Sequence, residues 1–368
     1  PVDLRDADTI TRLSPPQVRI LSPSNGLTTK EGQIHVLAEI VSPEGQTITD
    51  VRVLVNGRPG MEKGATVVSD EQQASHRISF SRAVQLLPGE NNIAVVAANG
   101  SAVSEPVSVS VQYDAPADEK SLKPNLHLLS IGVSNYAQEH LNLRYAHLDA
   151  EQFAAAWDGQ QGPVYDALQK TVLVNEQASA QGVTNSLQQL LGSVDRRDVA
   201  VIFISAHGLR DDNFEYYLGT HEVDPRKLSS TAVHFSKITH YLDQLPCKVL
   251  VFVDTCHSAG ITGAKAVFKD PLYELTSDEH GVIVFSSSLS REISFENEAW
   301  GHGAFTKAIL DTLGNRQSDI NQDGYLSLTE LEQQVYDQVQ QMTGGRQTPV
   351  MNRPATVPNI RFYYLGES

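Results

Sequence analysis

The residues with the clearest chemical potential in this sequence are Cys256 and His207. A thiol becomes a nucleophile when an imidazole takes its proton, because the thiolate is the reactive form. His207 follows the apolar run VAVIFIS, and Cys256 follows the run KVLVFVD 49 residues later. The carboxyl ends of neighbouring parallel strands meet at one edge of a sheet, where both side chains can act together. An isolated cysteine is more often a small core residue, but the paired strand exits and the nearby glycines favour a Cys-His dyad.

Asp254 adds a carboxylate next to this pair. It lies two residues before Cys256, so both face the same side of an extended strand. A carboxylate in that position attracts a cation, and the alternative is a structural acid at a strand end. Cys247, at the start of the same apolar run, has no such neighbours and is predicted to be a core residue.

A second chemical motif is the segment DINQDGYLSLTE, residues 319–330. It matches the 12-residue EF-hand loop, in which alternating oxygen ligands surround one Ca²⁺ and a glycine permits the sharp turn. AFTKAILDTL and LTELEQQVYDQV are the expected flanking helices, and a polar turn between helices is the alternative. A single loop favours a structural ion over a switch, and no organic cofactor is expected. The predicted ligands are Asp319, Asn321, Asp323, the Tyr325 carbonyl, Ser327 and Glu330.

Composition and charge exclude several functional classes. The chain has 28 Lys and Arg against 44 Asp and Glu, a net charge of −16, which disfavours binding to nucleic acids or anionic bilayers. Two cysteines cannot form a disulfide framework. No apolar run approaches the roughly 18 residues of a membrane helix, and no signal segment opens the chain. We expect a soluble cytoplasmic protein; because residue 1 is Pro rather than Met, secretion stays open.

The elements that must position these residues fall into two regions. At about 150 residues per domain, 368 residues predict two domains, or three small ones. After an N-terminal segment 1–15, residues 16–113 alternate apolar and polar residues between turn signals, which predicts an all-β sandwich. Residues 114–124 (DAPADEKSLKP) lack this period and predict a linker. In residues 125–368, apolar runs alternate with helical periods, which predicts an α/β domain with a mostly parallel sheet between helices.

Both regions resemble known families. SAHG followed by DTCHSAG resembles the metacaspase and bacterial caspase-like (orthocaspase) branch of the clan CD cysteine peptidases, family C14. The resemblance spans about 125–365 and includes SSLSREISFENEAWGHGAFTKAIL and RQTPV. Residues 16–113, with LPGENNIAVVAANG near their end, resemble bacterial immunoglobulin-like domains. The first resemblance implies a cysteine endopeptidase with Cys256 as nucleophile, His207 as general base, and the N–H groups of Gly208 and Cys256 as the oxyanion hole.

The resemblance also implies a substrate preference and a mode of activation. Asp149, Ser205 and Asp254 match the metacaspase pocket that takes Arg or Lys at P1, although Asp149 alone is also compatible with a helix-capping acid. The QAC(R/Q/G)G signature of true caspases, which cleave after Asp, is absent. Lys265 and Lys269 lie in the segment after the nucleophile and are candidate self-cleavage sites; solvated surface lysines are the alternative.

Two functions from different classes remain open at this point. One is a peptidase acting on peptide or protein substrates with Arg or Lys at P1, with an immunoglobulin-like module that positions it or binds a protein partner. The other is a catalytically silent caspase-like scaffold that acts through that module. The intact pair of Cys256 and His207 favours the peptidase, and an α/β-hydrolase is excluded because no G-x-S-x-G motif occurs. Neither function involves nucleic acid or membrane insertion.

Overall fold

A computed structural model describes residues 14–60, 76–120, 122–257, 281–288 and 294–366. These residues form two compact units. The first contains the described residues up to Leu122, together with Gly281 and Pro354–Pro358, and the second contains the remainder. Within the described ranges, no helix combines the length and the apolar character that crossing a membrane requires.

Among its described residues, the first unit has eight β-strands arranged in two sheets. One sheet is antiparallel with the order β1-β3-β6, and the other has the order β2-β8-β7-β4-β5, in which only β2 and β8 pair in parallel. A short helix, α1 (Ala117–Lys120), follows the last strand. The strands are β1 (Gln17–Ser22), β2 (Leu27–Thr29), β3 (Gln33–Val41), β4 (Ile48–Val55), β5 (Arg58–Pro59), β6 (Arg77–Gln85), β7 (Gly89–Asn99) and β8 (Val107–Tyr113).

Alternation of apolar residues gives these two sheets one shared core. Every second residue of β3, namely Val36, Ala38 and Ile40, is fully buried. Val53 of β4 and Val95 of β7 reach the same cluster from the other sheet. This period-2 pattern is the one that predicts half-buried strands, and the prediction of a strand-rich N-terminal region is confirmed.

The second unit is a mixed sheet with helices on both faces. Five strands are parallel in the order β10-β9-β11-β14-β15, and β19 joins the edge in the antiparallel sense. The strands of the second unit, some of which lie outside this sheet, are β9 (Leu126–Gly132), β10 (Leu168–Val174), β11 (Val199–Arg210), β12 (Tyr216–Leu218), β13 (Val233–His234), β14 (Lys248–His257), β15 (Val282–Ser286), β16 (Glu296–Asn297), β17 (His302–Gly303), β18 (Tyr325–Ser327), β19 (Val350–Asn352) and β20 (Arg361–Tyr364). Its helices are α2 (Ala146–Ala156), α3 (Ala180–Ser193), α4 (Leu228–Thr231), α5 (Phe235–Gln244), α6 (Ala304–Leu313) and α7 (Leu328–Thr343).

The two faces of this sheet bury different side chains. Ile202 and Val251 belong to the cluster that also contains residues of α3 and α5. On the opposite face, Phe153 of α2 stacks on Phe203 with ring centroids 4.4 Å apart, and Phe252 of β14 lies 5.1 Å from Phe153. Because side chains alternate along a strand, the odd-numbered residues of β11 and the even-numbered residues of β14 share the α2 face.

Two strands are longer than the apolar runs predicted. β11 continues through His207 to Arg210, and β14 continues to His257, so neither candidate catalytic residue lies in a loop after its strand. The extension of β11 has a local cause: β12 pairs with residues 208–210 in the antiparallel sense, and this pairing satisfies backbone groups that the apolar pattern alone leaves unassigned.

At the amino ends of β9 and β11, a buried ion pair joins the two strands. His127 Nε2 lies 3.2 Å from Asp198 Oδ2, and both side chains are 4% exposed. The same carboxylate accepts hydrogen bonds from the N–H groups of Asn125 and Asp195. Burial raises the pKa of Asp198, but the hydrogen bond from His127 and the two backbone donors outweigh it and bring the pKa below 3.8.

We expect Asp198→Ala to lower the free energy of unfolding by about 3 kcal/mol, because it leaves buried donors without a partner. The pKa of Asp198 is lowered in the folded state, so its contribution is complete above the unfolded pKa and is lost as the pH falls through the folded value. Urea unfolding at several pH values measures both effects. Asp195→Ala, which removes an exposed carboxylate nearby, is the control; equal effects of the two variants would contradict the assignment.

Candidate active site

Strand pairing places His207 and Cys256 side by side. β11 and β14 are parallel and in register from Val199 opposite Lys248 to Gly208 opposite His257, and His207 is the partner of Cys256. Adjacent strands lie about 4.8 Å apart, and register partners in a parallel pair share a face. The two residues predicted to form a dyad therefore occupy neighbouring positions on the α2 face of the sheet.

The imidazole of His207 is fixed in one orientation. Its Nε2 lies 2.8 Å from the carbonyl oxygen of Leu141, and its ring centroid lies 5.2 Å from that of Tyr136. The hydroxyl of Tyr136 also accepts a hydrogen bond of 3.0 Å from the backbone N–H of His207. A carbonyl oxygen can only accept, so Nε2 carries the proton and Nδ1 carries the lone pair.

The free lone pair of His207 is at a buried atom. Nδ1 is inaccessible and has no hydrogen-bond partner among the residues that the structure describes. Burial lowers the pKa of His207 below 6.5, while the Leu141 carbonyl and the negative charge of Glu296 oppose this shift. The neutral imidazole, which can act as a base, is thus favoured at neutral pH.

Sequence reasoning did not identify Leu141 or Tyr136. A backbone carbonyl acts without any side-chain signature, so no residue type at position 141 could have indicated its role. Tyr136 lies in the segment between β9 and α2 that also carries Leu141, and its hydroxyl and ring both contact His207.

Gly208 has a packing role that the sequence did not reveal. A Cβ at this position would lie 1.8 Å from the hydroxyl oxygen of Tyr216. That hydroxyl is also 3.1 Å from Thr255 Oγ1, in the residue before Cys256. The missing side chain therefore admits Tyr216 between the two strands, and this close contact alone requires glycine here.

A row of small and polar residues lies next to the dyad on the same face. Ser205 is paired with Asp254 on one side and with Gly132 of β9 on the other, and both Ser205 and Asp254 are buried. A Cβ on Gly132 would lie 2.2 Å from the carbonyl oxygen of Ala146. Gly132 thus permits the close approach of the first turn of α2, which carries Asp149.

Asp149 is the most deeply buried of the predicted pocket residues, with 1% of its surface exposed. Its Oδ1 lies 2.6 Å from His302 Nδ1, and its Oδ2 accepts a hydrogen bond of 3.3 Å from the N–H of Gly303. Burial raises the pKa of Asp149, and the hydrogen bond and charge of His302 oppose the increase. His302 had no distinguishing sequence context, since its contact with α2 is long-range.

The carboxylates of Asp254 and Asp149 both lie next to Gly303. A Cβ on Gly303 would be 2.8 Å from Asp254 Oδ2 and 3.4 Å from Asp149 Oδ2, so both carboxylates border one glycine. Thr306 of α6 donates to Asp254 Oδ2 at 3.2 Å. Burial and the negative charge of Asp149 raise the pKa of Asp254 to about 7, against the hydrogen bonds of Ser287, Ser294 and Thr306. Structure thus brings the three predicted pocket residues, Asp149, Ser205 and Asp254, together.

A cavity of about 480 Å³ lies nearby. It is formed by the segment before α2 and by the segment that contains β16. Glu296 acts electrostatically on both His207 and Asp149, so the wall of the cavity that contains Glu296 lies close to both groups. The lining residues are Asn142, Leu143, Arg144, Tyr145, Glu296, Asn297 and Glu298.

The predicted calcium loop is a tight turn held by its own acceptors. Asp319 accepts hydrogen bonds from the N–H groups of Asp323 and Gly324 at 3.1 and 2.7 Å, and Asn321 accepts one from Asp323 at 3.0 Å. Gly324 has a φ of 84°, the left-handed region in which glycine is favoured. Gly324 therefore has the conformation that the motif expects of its glycine.

The two flanking helices lie where the sequence predicted them: α6 covers AFTKAILDTL, and α7 begins at Leu328. A 3₁₀ turn (Arg316–Ser318) separates α6 from the loop. Glu330 forms a capping box with Ser327 at the start of α7. Within the described ranges, no three His, Cys, Asp or Glu side chains are grouped to hold a metal, so a cation here would rely on amide, hydroxyl and carbonyl oxygens as well.

The candidate self-cleavage residues, Lys265 and Lys269, lie outside the described residues. Cys247 is buried in the core cluster beneath α5, as predicted.

Comparisons with known proteins identify one family. The profile of the caspase domain family (Peptidase_C14) matches residues 127–359. No curated protein sequence matches the chain significantly. Among solved structures, the protein GSU0716 from Geobacter sulfurreducens is 16% identical, with a TM-score of 0.46, and the alignment covers 62% of this chain and 92% of that one. The fibronectin(III)-like modules of Clostridium thermocellum CbhA are 20% identical over 27% of this chain and 47% of theirs, with a TM-score of 0.21.

We expect nitrogen NMR of His207 to show the Nε2–H tautomer in the neutral state and a pKa below 6.5, because burial disfavours the imidazolium. Tyr136→Phe, which removes the hydroxyl that binds the His207 backbone but keeps the ring, serves as the control and should leave the tautomer unchanged. A neutral imidazole protonated at Nδ1 would contradict the role given to the Leu141 carbonyl.

Proposed function

Because this chain belongs to the caspase domain family of cysteine peptidases, we propose that it is a metacaspase- or orthocaspase-type endopeptidase of bacterial origin that cleaves after Arg or Lys. Cys256 is the nucleophile and His207 the general base. The observation that carries the proposal is the register pairing of these two residues, together with an imidazole whose Nε2 is bound to the Leu141 carbonyl.

The reaction follows from the lone pair on His207 Nδ1. Nδ1 takes the proton of the Cys256 thiol, and the thiolate sulfur attacks the carbonyl carbon of the scissile bond. The negative charge that develops on the carbonyl oxygen is stabilised by the N–H groups of Gly208 and Cys256. When the C–N bond breaks, Nδ1–H protonates the leaving amine.

The second half of the reaction releases the acyl enzyme. His207 Nδ1 removes a proton from water, the resulting hydroxide attacks the thioester carbon, and the C–S bond breaks. The thiolate then recovers the proton from Nδ1. The Leu141 carbonyl supports both halves, because it accepts from Nε2–H and so favours the imidazolium whenever it forms.

Preference for a basic P1 side chain is supported by the charges beside the dyad. Asp149 and Asp254 are buried carboxylates that border one glycine, and Ser205 is the register partner of Asp254. Two carboxylates with few compensating charges gain electrostatic energy from a guanidinium or ammonium group. The acidic wall formed by Glu296 and Glu298 suits the same substrates.

We expect fluorogenic peptides with Arg or Lys at P1 to be cleaved, and Cys256→Ala or His207→Ala to reduce kcat by about 10³-fold or more, because the nucleophile or its base is lost. Faster cleavage of P1-Asp peptides would contradict the pocket assignment. If the wild type cleaves none of these peptides, so that it does not differ from Cys256→Ala, and still binds its partner normally, the scaffold function is favoured instead.

Self-processing at Lys265 or Lys269 belongs to the same proposal, because a P1-Lys preference makes both bonds potential substrates. Intact mass spectrometry of the active protein, compared with Cys256→Ala, detects the new termini. Unchanged mass in both proteins would reject self-processing and leave the peptidase proposal intact.

The pH dependence of kcat/KM should report the ionisation of Asp254. Its pKa is about 7, so the carboxylate gains its charge as the pH rises through that value, and cleavage after Arg should increase over the same interval. His207, with a pKa below 6.5, is already neutral there. Asp254→Asn should lower kcat/KM by about 10- to 100-fold and remove the step near pH 7; a step that persists in this variant would show that another group titrates.

We also propose that the loop 319–330 binds Ca²⁺ through Asp319, Asn321, Asp323, the Tyr325 carbonyl, Ser327 and Glu330. The donors are all oxygens, and Gly324 adopts the conformation that the turn needs. Because no three ionisable side chains in the described ranges are grouped for metal binding, we expect weak affinity, with a Kd on the order of 10⁻⁴ M.

Calcium binding should raise Tm by a few degrees at millimolar Ca²⁺ relative to chelator, and Asp319→Asn should abolish the shift because it removes the first ligand. Asp311→Asn, which changes an exposed carboxylate of α6, is the matched control. Equal Tm values with Ca²⁺ and with chelator would refute the site, and peptide cleavage in the same two buffers would distinguish a structural ion from one required for activity.

The first unit has two sheets around one core, and we infer that it is an immunoglobulin-like module that binds a protein partner. The inference is supported by the alternating strands and the shared core. Deletion of residues 16–113, the immunoglobulin-like region, should leave cleavage of short peptides unchanged. It should reduce cleavage of a protein substrate that the partner presents.

A further inference from the structure

The side chain of His302 links the hairpin of β16 and β17 to Asp149, and it is 6% exposed. Its Nδ1 lies 2.6 Å from Asp149 Oδ1 and its Nε2 lies 3.1 Å from Gln152 Oε1. Asp149 and Gln152 are three residues apart on α2, so they lie on one face of that helix. One imidazole thus holds two adjacent side chains of the helix that forms the pocket.

We propose that His302 is a specificity-determining positioning residue: it fixes the Asp149 carboxylate beside Asp254 so that the pocket retains charge for a guanidinium or ammonium side chain. The inference rests on the proposed function, because it concerns the pocket that would read P1. His302 itself contacts Asp149 and not the reacting atoms.

The two carboxylates have unequal surroundings. Asp254 receives side-chain hydrogen bonds from three hydroxyl groups, those of Ser287, Ser294 and Thr306. Asp149 receives the imidazole of His302 and the N–H of Gly303. His302 therefore provides the closest side-chain hydrogen bond, 2.6 Å long, to the acid with the smaller exposed surface.

Removing His302 changes the charge of the whole pocket. Two buried carboxylates that border the same glycine disfavour each other's ionisation, and one of them takes up a proton when no good donor compensates it. The charged groups that act on Asp149 are His302 and Glu296, and Glu296 also raises its pKa. Without a donor at the position of His302 Nδ1, Asp149 would lose its side-chain hydrogen bond while Glu296 still disfavours its charge. Asp149 would then take up a proton more readily, and the pocket would bind a cation less tightly.

The shape of the histidine ring provides a matched pair of variants. His302→Asn places an amide nitrogen near the position of Nδ1, so it can still donate to Asp149. His302→Gln places its amide near the position of Nε2, so it keeps a contact with Gln152 but loses the donor to Asp149. Both substitutions introduce an uncharged amide. They differ because asparagine replaces the Nδ1 donor and glutamine replaces the Nε2 donor.

We expect His302→Gln to raise KM for P1-Arg peptides by about 10- to 100-fold while kcat changes by less than about three-fold, because binding and not chemistry depends on the contact. His302→Asn should keep KM close to the wild-type value. Agmatine, which carries the guanidinium of an arginine side chain, should bind Cys256→Ala in calorimetry, and adding His302→Gln should weaken its Kd by a similar factor.

His127→Gln is the control, because it disturbs the other buried His-Asp pair, at the amino ends of the strands. It should lower Tm without changing KM. Equal KM values for wild type, His302→Gln and His302→Asn would overturn the inference. It would also be overturned if the changes in kcat and KM followed the decrease in Tm in His302→Gln, His302→Asn and His127→Gln alike. If the wild type neither cleaves after Arg or Lys nor binds agmatine, the proposed function itself is wrong.

Discussion

The parallel register between β11 and β14 is the constraint on which the candidate site depends. It pairs His207 with Cys256 and, one step back along the same face, Ser205 with Asp254. Since side chains alternate along each strand, a shift of one residue would move an entire set to the opposite face. The buried aromatic residues Phe203 and Phe252 continue the same rows into the core, so the packing that stabilises the sheet also fixes the alignment of the dyad.

Glycine positions adapt this scaffold to the chemistry. Gly132 lets α2 approach the sheet closely, and Gly303 leaves room for two carboxylates around its Cα. Gly208 admits Tyr216 beside Thr255. Each position is one where a neighbouring atom would collide with a Cβ, and each collision would displace a group that lines the site. The tight local packing therefore determines the shape of the candidate site.

Burial determines the electrostatics of the site. It lowers the pKa of His207 and raises those of Asp149 and Asp254, so all three groups are moved toward their neutral forms. The partners of each group then differ: a carbonyl for His207, an imidazole for Asp149 and hydroxyls for Asp254. The protein thus compensates each buried group separately.

The sequence by itself determined the element types, the two regions and the candidate residues. Alternation in β3, the apolar runs of β11 and β14, and the motifs SAHG and DTCHSAG are local patterns, and local patterns are readable because side-chain periodicity follows directly from strand and helix geometry. The tertiary structure alone decided what contacts these residues. The Leu141 carbonyl on His207 and the His302 imidazole on Asp149 join residues that are 66 and 153 positions apart. They depend on how distant segments pack, which no local pattern records.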